Sequence, residues 1–212
     1  MGLFKKFINQ TARPEGILGR LMIRGMNCGH AKLADWGIST LGIGEPDEIL
    51  DIGCGGGRHI HKMLRLYPGA RGAAVDCSPL CVRKAAEYNR KEIRAGRLAV
   101  DVGDAADLPF PAEKFDLVTA FETVYFWPGL VRCFTQAARV LKPDGVFLIV
   151  NETDGVEPVG RKFEKMIDRM TVYTAEELAE ALRGAGFAHT AVSRHRVFPW
   201  IAVAARKHAP RP

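Results

Sequence analysis

The stretch Glu48-Ile49-Leu50-Asp51-Ile52-Gly53-Cys54-Gly55-Gly56-Gly57-Arg58-His59-Ile60 constrains the fold more than any other part of the chain. An apolar run that reads as a buried strand breaks into glycines, and a helical pattern starts at once. Ile60, Met63, Leu64 and Tyr67 recur at helical spacing and give that helix an apolar face. Glycine lets backbone pass close to a ligand with no side chain in the way. The helix N-terminus that follows aims free N–H groups into the same space. A strand, a glycine turn and a helix in this order hold a nucleotide-like ligand at the carboxyl edge of a parallel sheet.

The dinucleotide fingerprint G-x-G-x-x-G/A is met only in part. Gly53 and Gly55 fill its first two places, but its third falls on Arg58, where close helix–strand packing needs a small residue. Asp51 stands at the strand's end, two residues before the first glycine. A carboxylate there repels a pyrophosphate and suits a ligand carrying an ammonium or a sulfonium. A nicotinamide-dependent oxidoreductase is the competing reading, and Arg58 and Asp51 both count against it. Asp76 ends a second apolar run, Arg71 to Asp76, about 20 residues past the turn. At that separation an acid meets a ribose hydroxyl pair.

The stretch from Glu48 to Ile60 resembles the first motif of class I S-adenosylmethionine (SAM)-dependent methyltransferases, (I/L)-D-(I/L)-G-C-G-x-G. Gly103-Asp104-Ala105-Ala106-Asp107-Leu108-Pro109-Phe110 resembles that family's G-D-A-x-x-L-P-F segment. Ala138 to Gly145 is similar to its L-(K/R)-P-G-G turn, with Asp144 replacing one glycine. The likeness is close from Asp47 to Glu152 and looser from Thr174 to Lys207; its branch is the small-molecule one, of ubiquinone/menaquinone-biosynthesis type, without quinone chemistry being assigned. It implies SAM as cofactor, S-adenosylhomocysteine (SAH) as product, and cofactor contacts at Asp51, Gly53, Cys54, Gly55, Gly57, Asp76, Cys77, Asp104, Ala105 and Glu122. Asp104 and the Ala105 amide would meet the adenine edge. A non-catalytic SAM or SAH binder on the same fold is the second alternative.

The remaining segments are read in order. Residues 1–44 form helical pieces, either a lid over the pocket or packing on the sheet, in which Asn27, His30 and Trp36 draw notice. Ser78 and Pro79 open a helix expected to run through Ile93. Arg97 to Val102 and Phe115 to Ala120 are strands, and the loop after the second carries Glu122, Tyr125, Phe126 and Trp127 beside the reacting centre. Leu130 to Leu141 is a helix, Lys142 to Gly145 a turn, and Val146 to Val150 a strand. Thr174 and Glu177 form a capping box. Thr190 to Val197 and Trp200 to Arg206 alternate as an antiparallel pair. The fold expected is α/β: a doubly wound seven-stranded sheet, mostly parallel with one antiparallel strand near the C-terminal edge. Helices cover both faces, and a helical cap precedes them. A single methyltransferase domain is expected over 1–212, with a cap (1–44), a SAM-binding core (45–152), and an insertion, last helix and strand pair (153–212).

Candidate catalytic residues are Glu122, His30 and Tyr125, of which His30 reads equally as a structural histidine. Trp36, Tyr125 and Trp127 are candidate substrate contacts, their aromatic faces suiting a cation. The loop after the fourth strand lacks (D/N)-P-P-(Y/F), a Pro-Cys nucleophile and paired glutamates. Nucleic-acid amino groups, cytosine rings and arginine are thereby disfavoured as acceptors, and a small molecule is favoured. The net charge of +6 is modest, and a solvated helix face accounts for Arg83, Lys84, Arg90, Lys91, Arg94 and Arg97. Five cysteines without a C-x-x-C pair point to packed thiols and no metal. Met1 to Lys6 lacks the Ser or Thr of a myristoylation signal, and no apolar run is long enough to span a bilayer. The expectation is a cytoplasmic monomer or homodimer with no membrane association.

Overall fold

The computed structural model describes residues 3–207. Three N-terminal helices, α1 (Leu3–Ile8), α2 (Gly16–Gly29) and α3 (Ala31–Ser39), precede β1 (Glu48–Ile52) and α4 (Arg58–Leu66). Next come β2 (Arg71–Asp76), α5 (Pro79–Tyr88), α6 (Arg90–Arg94), β3 (Leu98–Val102) and β4 (Phe115–Phe121). The chain continues through α7 (Leu130–Val140), β5 (Leu141–Asn151), α8 (Pro158–Met166), α9 (Ala175–Gly184), β6 (Phe187–Arg194) and β7 (Ile201–Lys207).

The seven strands form one sheet in the order β3-β2-β1-β4-β5-β7-β6. The first five run parallel, and β7 is antiparallel to both its neighbours, as the alternating C-terminal runs predict. Strand order reverses between β1 and β4, so a crevice opens beyond their carboxyl ends. Apolar side chains cover both faces, as a sheet buried on two sides requires. Ile60, Met63 and Leu64 of α4 and Leu33, Ala34 and Ile38 of α3 close one face. Phe134 and Ala137 of α7 and Leu178 and Leu182 of α9 close the other.

Three local expectations shift. The helix expected from Pro79 to Ile93 divides at Asn89, whose fully buried amide donates to the carbonyls of Gly57 (2.9 Å) and Ala85 (3.0 Å). That side chain ties the helix to the glycine turn and bends the backbone there. The turn at 142–145 bulges out of the β4–β5 pairing, which passes from Phe115↔Leu141 to Leu117↔Val146, with Asp144 at φ +61°. The expected run Thr190 to Val197 instead starts at Phe187 and stops at Arg194, and its partner begins at Ile201, because His195 shapes the connection: its Nδ1 accepts the amides of Val197 and Phe198, both at 3.1 Å.

Candidate functional site

A hollow of about 520 Å³ lies over the carboxyl ends of β1, β2 and β4. Its floor is the turn at Gly53–Gly56. Gly53 has φ +74°, and a Cβ there would stand 2.1 Å from Thr123 Oγ1, so only glycine lets the turn pass beneath the loop after β4. Gly55, at φ +53°, has nothing within 4 Å of the place a Cβ would take. Open space above backbone is what a closely approaching ligand needs.

Asp76 lines the hollow at the end of β2, with only 9% of its surface exposed. Its Oδ2 accepts the Gly55 amide and its Oδ1 the Ser78 amide, both at 2.9 Å. A carboxylate has about four acceptor sites, so each oxygen keeps one for an incoming hydroxyl. Burial raises its pKa, against the pull of these two amides. Cys77, Asp104 and Ala105 continue the same wall, where Asp104 Oδ1 accepts the Ala106 amide at 2.9 Å.

The opposite end is polar and aromatic. Glu122 follows β4 with φ +56°, a conformation uncommon outside glycine. Its Oε1 accepts the Tyr125 hydroxyl at 3.0 Å and the Glu152 amide. Burial and the neighbouring Glu152 charge push its pKa well up. His30, at the junction of α2 and α3, places Nε2 3.8 Å from Glu152 Oε2, and burial depresses its pKa. Phe126 and Trp127 complete this wall, Trp127 donating Nε1–H to Thr123 Oγ1 at 3.3 Å.

Four of the residues expected at the site lie outside this lining. Asp51 is only 1% exposed, beneath the turn: alternate residues of a strand face opposite sides, which sends it toward α4 while Leu50 and Ile52 join the core of the other face. Its Oδ1 accepts the Thr119 hydroxyl at 2.8 Å, and its Oδ2 has no partner. Burial pushes its pKa up to about 7, opposed by the Thr119 hydrogen bond. Gly57 packs on Ala85 and Asn89 instead of facing the hollow. Tyr125, 3% exposed, stands behind Glu122 and not against the open space. Trp36 lies off the buried stripe of α3 and away from the hollow, meeting His195 and Trp200 at ring separations of 5.4 and 6.1 Å and packing against the core under α3. Gly53, Cys54, Gly55, Asp76, Cys77, Asp104, Ala105, Glu122, His30 and Trp127 do share the lining.

The hollow also gathers residues beyond the expected cofactor and substrate contacts, among them Asn27, which the N-terminal segment already marks out. Asn27 covers the turn, its Nδ2 3.5 Å from the Gly56 carbonyl. His59, one residue into α4, sets its ring 4.5 Å from Phe121 at a tilt of 38°, has an unpartnered Nε2, and has its pKa driven down to about 3, chiefly by burial. Thr11 to Pro14 and Arg169 form the rim. Only the position of His59 directly behind the glycine turn could have pointed to it.

Residues 49–145 match the family model described as a methyltransferase domain. The erythromycin 3''-O-methyltransferase of Saccharopolyspora erythraea is 38% identical over 125 residues, covering 59% of this chain and 41% of that protein. The 27-O-demethylrifamycin SV methyltransferase of Amycolatopsis mediterranei is 30% identical over 146 residues, 66% of this chain and 53% of that protein. The chain thus spans about half or less of the length of these curated relatives. A chain from the complex between the Haloferax volcanii Trm112 methyltransferase activator and a methyltransferase superposes with a TM-score of 0.79 at 24% identity, covering 90% of this chain and 95% of that one. At this identity the likeness is one of fold.

Proposed function

We propose, from the match of residues 49–145 to the methyltransferase-domain model, that the whole protein transfers the methyl group of SAM to a small-molecule acceptor. The observation that carries the proposal is the open hollow above Gly55, flanked by a buried Asp76 with hydrogen-bonding capacity to spare. In this reading Asp76 would accept the ribose hydroxyls, Asp104 and Ala105 would hold the adenine, and the turn at Gly53 to Gly56 would hold the methionine end. Bound there, SAM would supply a methyl group on a positively charged sulfur, and Glu122, Phe126 and Trp127 would line the space for the acceptor.

Transfer is an in-line displacement: an acceptor atom's electron pair forms a bond to the methyl carbon as the carbon–sulfur pair returns to sulfur, leaving SAH. The protein's task is to hold the two reactants in line and keep water out. Phe126 and Trp127 provide the apolar wall, and α2, with Asn27 over the turn, the cover. Glu122 and His30 are the polar groups facing the acceptor, and Tyr125 is a positioning residue that holds Glu122.

Calorimetric titration with SAH tests the reading. The wild type should bind one equivalent, and Asp76→Ala should lose roughly 1–3 kcal/mol of affinity, the value of hydrogen bonds left unmade. An unchanged SAH affinity in that variant, or binding of NADH in place of SAH, would overturn the assignment.

A further inference from the structure

We propose that His30, Glu122 and Glu152 bind one divalent cation at the acceptor end of the hollow; only the cation's role in transfer, not its binding, rests on the methyltransferase reading. One ligand atom from each residue lies within 4.8 Å of the other two. Donors around a six-coordinate ion with bonds of about 2.1 Å stand roughly 3 Å apart when adjacent and about 4.2 Å when opposite. The three side chains therefore need only close by side-chain rotation. They arrive from three separate places, the α2–α3 junction, the loop after β4 and the end of β5, so no single element's periodicity explains their meeting.

The charge around them is unbalanced. Neither glutamate forms an ion pair with a lysine or arginine among the described residues, and the sole ion-pair partner of Glu152 is His30. Two carboxylates brought together without a cation repel one another strongly in a partly dry site. Glu122 is nonetheless held in place: Oε1 takes both the Tyr125 hydroxyl and the Glu152 amide, and Oε2 receives no hydrogen bond among the described residues. Orienting donors on one oxygen, with the other left free, is the arrangement that outer partners give a metal-binding carboxylate. A further nitrogen points the same way. His59 Nε2, in the wall of the same hollow, is cut off from solvent and has no partner.

One imidazole and two carboxylates suit Mn²⁺, Fe²⁺ or Zn²⁺ better than Ca²⁺, which takes six to eight oxygens. Three protein donors leave coordination positions for oxygens of the acceptor, and two of these in chelating arrangement, such as vicinal hydroxyls, define the acceptor class. A hydroxyl bound to the cation releases its proton to water more readily. Its oxygen pair then forms the bond to the methyl carbon while the carbon–sulfur pair returns to sulfur.

The experiment is a Mn²⁺ titration of tag-free, full-length protein, followed by electron paramagnetic resonance of the free ion, on wild type, Glu152→Gln and His30→Ala. The Glu152 side chain is 48% exposed, so its replacement leaves the fold intact. The expected result is one Mn²⁺ per wild-type chain and at least tenfold weaker binding in both variants, with SAH affinity unchanged in Glu152→Gln. Wild-type protein that binds no Mn²⁺ or Zn²⁺ below millimolar concentrations overturns the proposal, as does full-strength binding by Glu152→Gln. The two readings separate cleanly: SAH binding without Mn²⁺ binding sinks the cation alone, and Mn²⁺ binding without SAH binding sinks the transfer role alone.

Discussion

Asp51 is the residue at which burial and charge conflict most openly. Its carboxyl is sealed from water, one oxygen is unpartnered, and its pKa stands near 7. In the unfolded chain an aspartate titrates near 3.9. Between these values the folded protein holds a proton that the unfolded chain has lost, so stability falls as pH rises from about 4 to about 7. At about 1.4 kcal/mol per unit, this one group costs a few kcal/mol above neutrality. Asp51→Asn, an uncharged side chain of the same shape, should gain on the wild type in urea unfolding by more than about 1 kcal/mol between pH 5 and pH 8. An identical difference at both pH values would remove the explanation. Single residues are also where sequence reading succeeds and fails most visibly. Asp76 was legible because its distance from the turn is set by one helix and one strand. Asp51 was legible as a carboxylate at a strand end, but its face of the sheet was not. Trp36 falls outside the hollow because a helix's buried stripe, here Leu33, Ala34, Gly37 and Ile38, shows which side meets the sheet and not which flank meets the hollow. Arg169 carried no signal, since it reaches the rim from an insertion with no pattern of its own.

Among the elements, the turn between β1 and α4 divides its glycines by task. Gly53 is required by its neighbour Thr123, whereas Gly55 borders empty space. Gly53→Ala should therefore damage the fold itself, because its Cβ collides with the loop after β4. Gly55→Ala should fold, at a cost of about 1–2 kcal/mol for a left-handed alanine, yet lose SAH binding at least tenfold. Thermal melts and SAH titrations of the two variants check this; a Gly55→Ala protein with wild-type SAH affinity would show that no ligand passes there. Elements with their own chemistry were legible in advance. The capping box is present as expected, Thr174 Oγ1 accepting the Glu177 amide and the Glu177 carboxylate accepting the Thr174 amide. The break at Asn89 was not legible, because what divides the helix is a hydrogen bond to Gly57, 32 residues away.

For the molecule as a whole, the arrangement of helices around the hollow predicts how it responds to ligand. α2 rests on α5 through Ile23, Met26, Leu80 and Cys81, while α3 is set into β5, with Gly37 against Val150. His30 lies between the two, so α2 is the part of the cover that ligand binding should quieten. With SAH at 100 times its Kd, the protein should gain about 2.7 kcal/mol of stability. Amide exchange in residues 16–29 should slow by more than that in α9, on the far face of the sheet. Equal slowing in both would mean that α2 is packing and not cover. The order of strands was legible from the succession of motifs, because parallel strands joined by helices have few ways to assemble; for residues 1–44 the sequence leaves both a lid and simple packing, since the choice depends on contacts between segments far apart in the chain.

That separation has a consequence for the protein during its synthesis. The hollow draws its walls from Met26, Asn27 and His30, from Gly53 to Gly56 and His59, from Asp76, Cys77 and Gly103 to Ala105, from Glu122 and Phe126 to Pro128, and from Arg169. A ribosome adding roughly 5–20 residues per second needs several seconds to pass from Ala105 to Arg169. Through that interval β1 has β2 on one side and, until β4 arrives, an open edge on the other, and the nascent chain offers no finished seat for a nucleotide. A ligand of the hollow can thus stabilise only the completed molecule, and through that interval the edge of β1 has no ligand to hold it.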